Sequence, residues 1–155
     1  MGTSPSSTAS DLAPPCRPAD TGGVRSSFSV IAEPVPKPRM TRRDAWAKRP
    51  CVIRYRDWCD EVRLAVTGSP SQKLECDVLG VVAFFHLPVP ESWAEKKKAD
   101  HYGRLHRGSG DADNLIKGIC DALFAEDKTI PIMQAYKFYV EEGEAPRTDL
   151  FLLVA

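Results

Sequence analysis

A chain of 155 residues, 43% hydrophobic and 27% charged, has room for one domain around one core and is neither collagen-like nor low-complexity overall. Basic and acidic residues balance at 21 each, so bulk charge announces no polyanion partner. Five cysteines without a Cys-x-x-Cys pair signal neither a disulfide framework nor a zinc knuckle and fit a reducing, cytosolic setting, and no run is long and apolar enough to span a membrane.

Residues 1–26 are rich in Ser, Pro, Thr, Ala and Gly without apolar period, which predicts a disordered tail or an extension from an early start codon, followed by one domain over 27–155. The tail lacks the apolar centre of a secretory signal. Phe28 to Val35 alternates as a strand, closed by Pro34, Pro36 and Pro38. Lys37, Arg39, Arg42 and Arg43 then make a basic loop, suited to phosphate contact or simply solvated. Tyr55 to Val66 repeats apolar residues at three and four, a helix with Trp58 in its core face and a stop at Gly68-Ser69-Pro70. Leu74 to Leu87 is the most strand-like run, long enough to expect a bend near Gly80, with His86 a surface or edge residue.

Residues 91–110 form a polar connection with Lys96, Lys97, Lys98, Arg104 and Arg107, and Ser92 to Lys98 is compatible with a short helix. Two readings stand: a basic clamp for DNA, or a flexible linker. His101 and His106 are too few for a zinc site.

The densest chemistry follows, from Gly110 to Ile130. Asp111 and Asp113 precede an apolar-periodic run, where helix caps belong, and Leu115, Ile116, Ile119, Ala122 and Leu123 repeat at helical spacing. Asp113, Lys117 and Asp121 are four apart on one face, and Asp127 follows in a short turn. Carboxylates crowded around one lysine suit a hard divalent cation that keeps waters and takes one or two protein oxygens. The bland alternative is an N-cap plus an exposed ion-pair ladder. Ile130 to Val140 and Thr148 to Val154 read as two strands joined by a Gly143 turn into an antiparallel hairpin. The order β-α-β-α-β-β predicts an α/β (α+β) fold, a mixed, largely antiparallel sheet with packed helices.

The run Asp111-x-Asp113-Asn114-Leu115-x-Lys117, then Asp121-Ala122-Leu123, Asp127 and Ile130, resembles the RusA family of Holliday junction resolvases. The likeness extends upstream to Lys37-Pro38-Arg39 and the 55–63 helix. It implies a homodimeric endonuclease that nicks four-way junctions symmetrically in DNA recombination and repair, encoded by a bacterium or its phage and cytoplasmic. Mg²⁺, or Mn²⁺ in its place, is expected on Asp111, Asp113 and Asp127, with Lys117 balancing charge and facing the scissile phosphate. Asn114 is expected to fix the turn, Asp121 to hold Lys117 by pairing at i−4, and Glu126 to share or replace the role of Asp127. The link from Asp121 to Asp127 is shorter than the family commonly has. Two other classes remain: an inert dimer that binds branched DNA, and a metal-dependent hydrolase of small nucleotides.

Overall fold

The computed structural model describes residues 25–75 and 77–154. The expected tail therefore lies, up to residue 24, outside the described residues, as do Cys16 and Cys76. In chain order the elements are β1 (Arg25–Val30), α1 (Pro50–Thr67), β2 (Val78–Leu87), α2 (Glu95–Ala99), α3 (Ala112–Leu123), β3 (Ile132–Tyr139) and β4 (Arg147–Val154). Single 3₁₀ turns lie at Arg42–Ala45 and Asp127–Thr129. No helix among the described residues is long and apolar enough to cross a membrane.

The four strands form one sheet in the order β1-β4-β2-β3. The β1/β4 and β4/β2 pairs are antiparallel and β2/β3 is parallel, so the sheet is mixed and largely antiparallel, as expected. The expected β3–β4 hairpin does not form: β4 runs between β1 and β2. Burial explains the choice. Thr148, Leu150 and Leu152 of β4 are buried, whereas β3 leaves half of its residues exposed and takes the edge. Entering β3 from β2 through two helices also makes that pair parallel, because a crossover returns the chain to the same end.

Two boundaries move. β1 starts at Arg25 and ends at Val30, before Pro34, so the proline-rich segment lies outside the sheet. α1 starts five residues before the expected Tyr55, with Pro50 in its first turn, where the missing N–H costs nothing; it ends on Gly68 in the left-handed conformation (φ 77°). In β2 the expected bend is a register shift between Val78 and Gly80. A Cβ on Gly80 would lie 2.9 Å from Cβ of Ile132 and 3.0 Å from Leu153, so neighbouring strands demand glycine there.

Helices α1 and α3 cover one face of the sheet. Alternate residues Val81, Ala83, Phe85 and Leu87 of β2 point into that layer with Leu150 and Leu152 of β4. Trp58, Cys59 and Val62 of α1 and Leu115, Ile119 and Leu123 of α3 meet them. α1 and α3 approach closely at Gly118, where an added Cβ would lie 2.8 Å from the Trp58 ring. That contact fixes how α3, with its row of acids, sits on the domain.

Candidate active site

Asp111 is the N-cap of α3, extended at φ −72° and ψ 133°, and follows Gly110 at φ 99°, a value that favours glycine. Its carboxylate makes no capping hydrogen bond; Asn114 Nδ2 donates to it weakly at 3.4 Å. The side chain is left to face a cleft of about 430 Å³, walled by Glu33 to Pro38, by Cys51 and Arg54 of α1, and by Gly110, Asp111 and Asn114. The cleft exists because the proline-rich segment lies against α3: Lys37 N donates to Asn114 O at 3.4 Å.

Asp113 accepts from Lys117 Nζ at 3.1 Å, one helical turn on. The Lys117 ammonium holds the Asp113 carboxyl below the usual carboxylate range. Asp121 does not hold Lys117, contrary to expectation. Lys37 Nζ lies 2.5 Å from Asp121 Oδ2, and the Tyr55 hydroxyl donates to the same oxygen at 3.0 Å. The physical reason is direction: helical side chains lean toward the N-terminus, so Lys117 reaches back to Asp113 rather than forward. Burial foremost, with the Asp121 carboxylate nearby, pushes the Tyr55 pKa up and keeps the hydroxyl a donor. Lys37 thus differs from the neighbouring Arg39 in having an acidic partner, in a pair exposed by about a third on each side.

Asp127 opens the turn after α3 and has no basic partner among the described residues, whereas Glu126 pairs with Lys128 at 2.9 Å. A helix of 12 residues rises about 18 Å, so Asp111 and Asp127 stand at opposite ends of α3. Among the described residues no group of three His, Cys, Asp or Glu side chains converges on one point. The expected Asp111, Asp113 and Asp127 trio is thus not gathered at one point among the described residues. The acids at the N-terminal end of α3 still fit Mg²⁺ in kind. They are hard oxygens, Asp111 has no cation partner among the described residues, and an open cleft beside it admits water and phosphate oxygens. At the other end, burial first and then the charges of Asp127 and Asp121 push the Cys120 thiol up to about 12, which keeps it a protonated core residue.

The basic residues divide. Arg39, Arg42 and Arg43 are exposed and have no acidic partner among the described residues. Arg49 is not: its Nε and Nη2 each lie 2.6 Å from the buried Asp44. Lys96 to Lys98 sit on α2, where Lys98 pairs with Glu95 at 2.8 Å and Lys97 lies over the Trp93 ring at 3.9 Å. The connection that follows is fastened to the β3 edge. Tyr139 N donates to Arg104 O at 2.8 Å and His106 N to Lys137 O at 2.9 Å, leaving the Arg104 and Arg107 side chains exposed. His101 and His106 pack with Trp93 and Tyr139 as an aromatic cluster.

One residue missed in the sequence bears directly on Asp111. Lys137 Nζ donates to Gly110 O at 2.6 Å and to Gly108 O at 3.4 Å, while its own carbonyl accepts from His106 N. It brackets residues 106–110 and so fixes the backbone that delivers Asp111. The available signal was a lysine inside an otherwise apolar strand, where lysine is depleted.

With this geometry in place, comparison with known proteins is informative. The model of the family Endodeoxyribonuclease RusA matches residues 32–149, from the proline-rich segment to the middle of β4. No curated protein and no solved structure matches.

Proposed function

The chain belongs to the RusA endodeoxyribonuclease family, and from that premise we propose that it is a Mg²⁺-dependent enzyme that resolves four-way DNA junctions by paired nicks, acting as a two-fold dimer in recombination and repair in a bacterial cytoplasm. The observation that carries this reading is the Asp111 carboxylate, at a helix N-cap yet free of capping, open to a cleft of about 430 Å³.

Asp111 and Asp113 are the residues that would hold the cation, which when bound lowers the pKa of water and neutralises charge on a phosphate. Asp113, held ionised by Lys117, is a ready acceptor at neutral pH. Lys117, half-exposed, offers further N–H donors to negative charge that grows on the phosphate oxygens during attack. Asn114 orients Asp111, and Lys137 fixes the turn before it. Arg39, Arg42, Arg43 and the α2 lysines supply salt-sensitive backbone contacts on either side.

The dimer answers the substrate. A junction offers two symmetric scissile phosphates, which two identical sites about a two-fold axis can match.

The test is cleavage of a synthetic four-way junction against linear duplex of the same sequence, with Mg²⁺ and with EDTA, for the natural chain and Asp113→Asn. Symmetric metal-dependent nicks confined to the junction, and lost in the variant, are expected. Junction binding without any cut would instead make the chain an inert binding dimer. Salt-insensitive hydrolysis of small nucleotides with no action on junctions would make it a nucleotide phosphohydrolase.

A further inference from the structure

Trp46 is the most exposed large hydrophobic side chain among the described residues, at 74%. Single exposed apolar residues are common and mean little. Two features set this one apart.

The first is how firmly its backbone is held. Asp44, two residues earlier, is only 3% exposed. Its carboxylate accepts from Thr41 N at 2.5 Å, from Thr41 Oγ1 at 3.0 Å, and from Arg49 Nε and Nη2 at 2.6 Å each. Arg56 Nη2 donates to its carbonyl at 2.9 Å, and Arg49 Nη2 also reaches Arg39 O at 3.0 Å. Arg49 foremost, with Thr41, holds the Asp44 carboxyl well below the usual range, so the cage stays ionised at any ordinary pH. Trp46 N and Ala47 N both donate to Arg43 O, at 3.1 and 2.6 Å. A buried carboxylate, paired with a partly exposed arginine, thus fixes a turn whose tip displays an uncovered indole.

The second is what surrounds it in the chain. Arg39, Arg42, Arg43 and Lys48 are exposed, and none has an acidic partner among the described residues. The turn runs directly into α1, whose first residues Cys51 and Arg54 wall the cleft that Asp111 faces. Cations would grip a phosphate backbone here, and an indole among them offers a flat face to a base. A duplex interior offers no such face; an unpaired or splayed base does.

We propose that Trp46 is a base-stacking residue that receives an unpaired nucleobase beside the cleft, with Arg39, Arg42, Arg43 and Lys48 holding its phosphates. Because the indole is already presented, stacking orders no new loop, which favours affinity. The site would give preference for strand-separated or branched DNA over plain duplex, since only the former supplies a free base. This rests on the DNA-directed reading above and adds to it the substrate feature that this surface selects.

The experiment measures binding in EDTA, so that no cleavage is needed, for the full natural chain, Trp46→Ala and Trp46→Phe. The probes are a synthetic four-way junction, a single strand and a duplex, with 2-aminopurine at the branch of the junction. Trp46→Ala is expected to weaken junction and single-strand binding about tenfold, with duplex binding within twofold. Trp46→Phe should recover most of the loss, because a second aromatic face still stacks. The 2-aminopurine emission should be dimmer in complex with the natural chain than with Trp46→Ala. Equal loss on all three probes would reduce Trp46 to a structural residue and overturn the proposal, as would no loss on any. A change of oligomeric state in Trp46→Ala would overturn it too, by assigning the indole to a protein contact. Failure of the natural chain to cut junctions would count against the resolvase reading alone, because these comparisons need only binding.

Discussion

Asp121→Ala separates a structural acid from a catalytic one. In the native chain Asp121 Oδ2 takes the Tyr55 hydroxyl at 3.0 Å and Lys37 Nζ at 2.5 Å. Tyr55 is 5% exposed, so deleting its acceptor strands a buried hydroxyl, at a cost of about 1–3 kcal/mol. The Lys37–Asp121 pair is about one-third exposed on each side and adds about 0–1 kcal/mol. The expected loss is therefore about 1–4 kcal/mol, or about 0.5–2 M in the urea midpoint at a slope near 2 kcal/mol per molar. Tyr55→Phe alone should cost about 1 kcal/mol, and the double variant should show a coupling of similar size. Asp121→Ala with Lys117→Ala should show almost none, because Lys117 is turned to Asp113. Junction cleavage per folded molecule should fall by less than about tenfold, since no reacting group is removed. The assay is urea unfolding followed by far-UV circular dichroism, paired with single-turnover junction cleavage at 25 °C. Full stability with abolished cleavage in Asp121→Ala would refute the reasoning and place Asp121 in the catalytic site.

Three further outcomes follow from the geometry. Gly118→Ala gains about 1 kcal/mol of helix propensity but drives a methyl to 2.8 Å from the buried Trp58 ring, an overpacking cost of about 1–3 kcal/mol; a net fall in the thermal midpoint of a few degrees is expected, and a rise would show that α1 can shift. Lys137→Met frees the turn that delivers Asp111, so junction cleavage should drop about 10–100-fold while junction affinity holds, with Lys137→Arg recovering part of the rate; unchanged cleavage in Lys137→Met would remove the residue from any role at the site. His106 has its pKa lowered below 6.5, first by burial and then by the Lys137 charge, and its Nδ1 accepts from Gly108 N at 3.2 Å only when unprotonated. The folded state then binds fewer protons than the unfolded one between the lowered value and about 6.5, so stability should rise with pH through that window and be lost on acidification; urea midpoints across it should lose part of their slope in His106→Gln.

The parts legible in the sequence are those governed by short-range periodicity. α3 lies where the spacing of Leu115, Ile119 and Leu123 puts it, and the bend expected at Gly80 is a real register shift. The parts that were not legible depend on partners remote in the chain. Two strands joined by a short Gly143 turn satisfy every local hairpin signal, yet β4 carries the more buried face and takes the interior position, displacing β3 to the edge. Lys117 is equally spaced from Asp113 and Asp121, so spacing cannot choose; helix side-chain direction can, and Lys37, 84 positions before Asp121, then occupies the acid left over. Charge counts along residues 37–56 likewise do not distinguish the Arg49 guanidinium, spent on a buried Asp44, from those left in solvent. The same limit governs the acids. Asp111 and Asp127 belong to one short motif in sequence, and the whole of α3, about 18 Å long, lies between them. Linear proximity brings side chains together only across one turn, at three or four residues; beyond that, the intervening element decides whether they meet. A motif that spans a whole helix therefore fixes its two ends separately, and the turn after the helix decides where the second end lies.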